Sequence, residues 1–214
     1  MNIELPISLG EAFDKLTILD IKYNKILDDR KNVVKIEYDL LADKLNEYIT
    51  KYIDLYNSMK KVNILLWDMM DILRDGTISD ELYVKICKKT IIYNDIRFRI
   101  KNKINYMSKS FLKEQKGYKI NRFIINLKKN SDTNKITNII KYFSFIYDEI
   151  IIESTDDLSY LIEQFNYDET IFFKNNCENI EYIKKISIED KNYSQEELYK
   201  LFGVTYNEIN SILF

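Results

Sequence analysis

The chain has 214 residues, 46% hydrophobic and 31% charged, with 32 basic against 34 acidic side chains. That composition supports a buried core in one large or two small domains and excludes a disordered tail, while the balanced charge favours neither nucleic acid nor its avoidance. Histidine is absent, which excludes His-based catalytic triads, His-ligated zinc or haem and the usual side-chain pH switch.

Ile, Asn, Lys, Tyr and Phe make up 111 of the 214 residues, whereas Ala occurs twice. The abundant residues have A/T-rich codons, so the lysine and asparagine counts report base composition before they report a binding surface. Cys87 and Cys177 are the only cysteines. Two isolated thiols without histidine do not build a zinc site and read as reduced cysteines of a cytosolic compartment. No metal or cofactor is expected. No apolar run approaches the ~20 residues that span a bilayer, and Met1–Pro6 lacks the basic and apolar regions of a signal peptide. The expectation is a cytoplasmic protein without a membrane segment.

Ser8-Leu9-Gly10-Glu11 is a capping box, predicting a helix start with Glu11 returning to the cap amide. Phe13, Leu16, Ile18, Leu19, Ile21, Tyr23, Ile26 and Leu27 cover more than one face of this helix, and Asp28–Asn32 is a polar break. From Val34 to Leu73 the apolar residues Val34, Tyr38, Leu41, Leu45, Tyr48, Tyr52, Leu55, Met59, Val62, Leu66, Met69 and Leu73 alternate in steps of four and three. That is a heptad seam, and it predicts one helix on the order of 60 Å long at 1.5 Å per residue, with Ser58 as a site for a kink. Gly76 is a left-handed cap. Ser79 caps a third helix running to about Phe111. Residues 8 to about 118 thus read as three antiparallel helices, one very long.

After Gly117 the pattern changes. Strands are expected at Arg122–Leu127, Tyr147–Ile152 and Thr170–Phe173. Helices are expected at Thr133–Phe145, Asp157–Phe165 and Ser194–Phe202, with a short one from Asn207. This alternation predicts βαβ units and a small parallel sheet. The fold class is α+β: a helical bundle domain over 1–118 and a small α/β domain, half of a Rossmann-like layer, over 119–214. No G-x-G-x-x-G or Walker loop follows any expected strand, so a glycine-rich phosphate loop is not expected.

Three constellations bear on chemistry. Asp20 shares a stripe with Phe13, Leu16, Tyr23 and Leu27, and a buried carboxylate needs a partner. Asn94, Arg97, Lys101 and Asn105 recur along the third helix beside its apolar stripe, with Asp95 adjoining. Together with Glu11, Asp14 and Lys15 they form a set that reads in two ways. It is a polar cleft in which Arg97 and Lys101 hold an anion and Asp14, Asp20 or Asp95 serves as base, or it is a register-setting pair of Asp20 or Asp95 with Arg97. The ligand-binding set is therefore Glu11, Lys15, Asn94, Arg97, Lys101 and Asn105. On the long helix, Asp68 and Asp71 lie one turn apart, spaced to hold Mg²⁺, but Asp71 with Arg74 is expected as a surface ion pair. Residues 85–122 carry twelve basic residues against Asp95 and Glu114. This excess attracts phosphate or lies as a solvated lysine face; nucleic-acid binding ranks last because no recognition motif accompanies it.

The same residues carry a family resemblance. Ser8–Lys22 (S-L-G-E-A-F-D-K-L-T-I-L-D-I-K) resembles the opening of the domain-of-unknown-function 6165 family, roughly S-x-G-E-L-x-D-K-I-T-I-L-x-I-K. Asn63–Trp67 with Asp71 and Arg74 is similar to its L-W-x-x-E-D-x-I-R stretch. Tyr93–Arg97 with Lys101 and Asn105 resembles Y-x-x-N-D-x-R-x-x-x-K-x-x-I-N, and Ser110–Tyr118 resembles S-x-x-x-E-x-K-x-Y. The resemblance covers about residues 4–120. Met70 stands where the family carries an acid, which weakens a metal role for Asp71. The resemblance implies a short helical protein of a bacterium or a large DNA virus, in the latter case of host cytoplasm or virion, and it hints at surface-glycan metabolism without naming an activity. Residues 121–214 fall outside it and are broadly similar to pieces of glycosyltransferases.

Three functions compete. One is a ligand-binding protein or enzyme acting on an anionic sugar, sugar phosphate or nucleotide sugar. Another is a helical scaffold that meets a second copy or a protein partner along the long helix. The last is nucleic-acid binding through 85–122.

Overall fold

The computed structural model describes residues 4–127, 133–182, 184–188 and 211–212. The helices expected at Ser194–Phe202 and from Asn207 lie outside them, apart from residues 211–212. The chain divides into two compact units, Met1–Glu114 and Gln115–Phe214.

The first unit holds four helices: α1 (Leu9–Lys25), α2 (Arg30–Lys51), α3 (Ile53–Asp75) and α4 (Asp80–Met107). Ser8 caps α1, its hydroxyl accepting the Glu11 amide at 3.2 Å. Glu11 does not return to the cap as expected; its carboxylate pairs with Lys101 at 2.7 Å. Ser79 caps α4 through the Leu82 amide at 3.3 Å, and Gly76 ends α3 at φ 72°, a left-handed conformation that glycine enters without a Cβ penalty.

The single long helix is replaced by two. Tyr52 stands between them at φ −121° and ψ 37°. The heptad phase passes through Tyr52 unchanged, so its spacing does not reveal the break. What differs is the partner of each half. In α2 only Leu45 is buried, whereas α3 buries Ser58, Met59, Val62, Asn63 and Leu66. Tyr52 is itself buried, and its hydroxyl donates to the Met107 carbonyl at 3.3 Å, which brings the end of α2 to the end of α4.

The directions also differ from an all-antiparallel bundle. Phe13 meets Tyr56 edge-on at 5.4 Å, Thr17 meets Asn63 and Lys25 meets Asp68, so α1 and α3 run parallel. Gly10 meets Asn105 and Asp14 meets Arg97, so α4 runs antiparallel to α1. Parallel neighbours need a connection that returns along the bundle. α2 is that return, lying against α1 through the Tyr23–Tyr38 stack and the Lys15–Glu37 ion pair.

The second unit contains β1 (Arg122–Leu127), α5 (Thr133–Phe143), β2 (Glu149–Glu153), α6 (Ser159–Gln164), β3 (Ile171–Lys174) and β4 (Lys184–Ile188). β4 was not among the expected strands. The sheet order is β3-β2-β1-β4, every pair parallel. Strand side chains alternate between faces. One face carries Phe123, whose ring lies 4.0 Å from Phe143 and 4.8 Å from Tyr147. The other carries Ile124 and Ile151, packed with Cys177 and Ile180.

Towards the carboxyl ends of the strands this second face turns polar. Glu153 accepts from Asn126 Nδ2 at 2.7 Å, from Lys185 Nζ at 2.5 Å and from the Cys177 amide at 3.0 Å. The Lys185 ammonium, then the Asn126 amide, hold the Glu153 carboxyl below its ordinary 4.5. A carboxyl lowered in the native state contributes stability that is complete above its unfolded value and is lost as pH falls through the native one. The melting temperature should therefore fall as pH drops below about 4.5, and Glu153→Gln should flatten that part of the slope. Parallel slopes for both proteins would remove Glu153 from the acid response.

Candidate functional site between α1, α3 and α4

The polar residues of α1 and α4 meet turn by turn. Asn105 Oδ1 accepts the Gly10 amide at 2.8 Å, satisfying a buried donor of the first helical turn. Lys101, buried to 8% exposure, pairs with Glu11 at 2.7 Å and also with Glu114. Burial pushes its ammonium down, but the two carboxylates more than offset this and its pKa lies above the ordinary value. Arg97 grips Asp14 with two bonds, Nε to Oδ1 at 2.8 Å and Nη2 to Oδ2 at 2.5 Å. The Asp14 carboxylate raises the guanidinium pKa against its desolvation.

Asp14 is 4% exposed and has a further partner. Asn63 donates its amide to Asp14 Oδ1 and to Thr17 Oγ1, both at 2.9 Å, and Thr17 donates to the Asp14 carbonyl at 2.9 Å. Thus α1, α3 and α4 share one buried polar knot. The carboxylate that meets Arg97 is Asp14 and not the expected Asp20 or Asp95. Asp20 pairs with Lys60 at 2.5 Å, and Asp95 is half-buried. Lys15 turns away from the set to Glu37 at 2.7 Å, and Asn94 donates to the Thr90 carbonyl at 3.1 Å. Held by two arginine bonds and an amide, Asp14 is arranged as a fixed counter-ion. A general base instead needs an open lone pair beside substrate.

Asn63, Thr17 and Glu114 are not among the site residues expected from the sequence. A signal existed for the first two. Asn63 lies four residues after Met59 and three before Leu66, on a buried stripe, and Thr17 follows Phe13 by four. Glu114, which meets Lys101 from beyond the end of α4, is marked only as the acid of the S-x-x-x-E-x-K-x-Y resemblance, with nothing to point to its partner.

Beside the knot lies a cleft open to solvent, about 220 Å³ in volume. Its apolar wall is Ile18, Ile21, Leu66, Trp67 and Met70; its polar edge is Asn63, Thr90, Asn94, Arg97 and Arg74. Of the expected ligand set, Asn94 and Arg97 line it, while Glu11, Lys15, Lys101 and Asn105 do not. The sole tryptophan and two of the five arginines of the chain are therefore gathered at one concavity. Trp67 and Arg74 come from α3, two turns apart, and Arg97 comes from α4.

The twelve basic residues of 85–122 do not form one free surface. Arg99 and Lys103 are buried at 7% and 6% exposure. Arg97 and Lys101 are paired as above, Lys119 pairs with Glu181 and Arg122 with Glu149. Among the described residues no group of three or more His, Cys, Asp or Glu side chains is placed to hold a metal ion. Asp68 is paired with Lys25 at 2.6 Å. Among the same residues no helix is long and apolar enough to cross a membrane. Compared with known proteins, the chain matches no family model, no curated protein and no solved structure.

Proposed function

We propose that the first unit is a helical scaffold that binds a small anionic ligand, a phosphorylated or carboxylated sugar, in the cleft between α1, α3 and α4. The observation that carries this reading is the convergence of Trp67, Arg74, Arg97, Asn63 and Asn94 on one solvent-open concavity. Ligand sites pair an apolar wall with a few polar groups that fix orientation. An indole face suits the C–H face of a sugar ring, amides suit its hydroxyls, and arginine suits phosphate or carboxylate. At about 220 Å³ the cleft fits a monosaccharide-sized ligand, since pockets for larger molecules run from about 300 Å³ upward. The hint of surface-glycan metabolism in the family resemblance agrees with this class.

Trp67 is the sole indole of the chain, so its emission reports on this cleft alone. Titration with glucose 1-phosphate, glucuronate and inorganic phosphate should change Trp67 fluorescence saturably, and the bound protein should melt higher by mass action. A flat response to all three at millimolar concentration would sink the reading.

A second reading draws on the second unit: an enzyme acting on a nucleotide sugar. Its support is the parallel order β3-β2-β1-β4, in which the chain crosses from one side of β1 to the other. In open α/β sheets, ligands sit outside the carboxyl ends of the strands at such a switch point, where Asn126 and Glu153 stand. Protection of the sheet amides from hydrogen exchange by UDP-glucose, with no change in Trp67 emission, would favour it over the first.

A further inference from the structure

We propose that Arg74, and not Arg97, holds the anionic group of the ligand. This rests on the reading of the cleft given above and names the anchor within it. Arg97 lines the cleft, but its charge is closed by Asp14 through two bonds, and the pair has a neighbour in Asn63. An anion approaching Arg97 meets a salt bridge that is already neutral.

Arg74 is different. It stands in the last turn of α3, is exposed, and lines the same cleft. The ion pair expected from Asp71 three residues earlier is not formed. Among the described residues Arg74 makes no hydrogen bond and no ion pair. The other acid of that stretch, Asp68, is taken by Lys25. Arg74 is thus the uncompensated cation of the cleft. Trp67 lies two turns earlier on the same helix, and both side chains border the concavity. A ligand whose apolar face lies on Trp67 and whose anionic end reaches Arg74 satisfies both groups. Asn94, on the facing helix, is placed for a hydroxyl. A guanidinium binds phosphate or carboxylate with two parallel bonds, so the assignment favours a terminal oxyanion over a neutral sugar.

The alternative duty of Arg74 is to offset the negative end of the α3 dipole, which affects stability slightly and binding not at all. Trp67 emission separates the two. Wild type, Arg74→Ala and Arg74→Lys would be titrated with glucose 1-phosphate and with neutral methyl glucoside, and each variant checked by circular dichroism and thermal melting. Arg74→Ala should melt within a few degrees of wild type and bind glucose 1-phosphate about tenfold more weakly or worse, the size of a lost charge-assisted contact. Arg74→Lys should recover part of the loss, and methyl glucoside should bind weakly and alike to all three. Equal affinity of Arg74→Ala and wild type for glucose 1-phosphate would overturn the anchor and leave the cleft standing. If wild-type Trp67 stays flat to glucose 1-phosphate, and to glucuronate and inorganic phosphate as well, the cleft reading fails and the anchor with it.

Discussion

Arg97→Ala should destabilise the first unit by about 3 kcal/mol, the effect of stripping one partner from a largely buried ion pair. The loss is not that of a surface salt bridge. The Asp14 side chain is 5% exposed against 27% for Arg97, so truncation leaves a carboxylate in the interior with only the Asn63 amide for a side-chain partner among the bonds described above. The energy lies in the orphaned charge. This makes a specific claim about the double variant. Asp14→Leu with Arg97→Met removes both charges and leaves apolar volume, so it should be more stable than Arg97→Ala alone. Urea melts of Arg97→Ala, of the single variants Asp14→Leu and Arg97→Met, and of the double variant measure this. Additive losses would mean that the pair is not coupled.

Gly10→Ala should cost about 3 kcal/mol, the upper end of what overpacking a tight contact costs. A Cβ built on Gly10 falls 2.4 Å from the Lys101 carbonyl oxygen and 2.9 Å from Asn105 Oδ1. The nearer neighbour is backbone, which does not rotate aside. To make room, α1 and α4 must separate at the point where the Gly10 amide meets Asn105 at 2.8 Å, one residue from the Glu11–Lys101 pair. The sign of the effect makes the test sharp. Within a helix, Gly→Ala ordinarily gains up to about 1 kcal/mol from propensity, so a higher melting temperature for Gly10→Ala would refute the backbone contact. Asn105→Ala should lose less, since it removes one hydrogen bond from the buried Gly10 amide without moving a helix.

Both substitutions act on the same register. Backbone contact at Gly10 sets how far α1 slides along α4, and the slide decides which carboxylate faces Arg97. Asp14 and Asp20 are six residues apart on one helix, and either could be expected opposite an arginine on another. Only the axial position of α1 against α4 selects Asp14, sending Asp20 to Lys60. In the same way Asp71 and Arg74 have the spacing of a helical ion pair, yet among the described residues Arg74 has no ion-pair partner and Asp68 reaches across to Lys25 of α1. Local spacing ranks these partners equally, and side chains from other helices decide among them.

What the amino-acid order determined by itself is the local chemistry. Ser8 and Ser79 supply cap oxygens, Gly76 supplies the left-handed stop of α3, and the change after Gly117 from helical to alternating short elements marks an α+β chain. Each depends on residues within a turn or two of one another, where sterics and hydrogen bonding act without the rest of the fold. The tertiary structure alone decided the break at Tyr52, the parallel course of α1 and α3, the addition of β4 to the sheet and the meeting of Trp67, Arg74, Asn94 and Arg97 at one cleft. Those features depend on contacts between residues tens of positions apart. A heptad seam keeps its phase across a one-residue break, and a helix pattern carries no sign of the direction in which its neighbour runs.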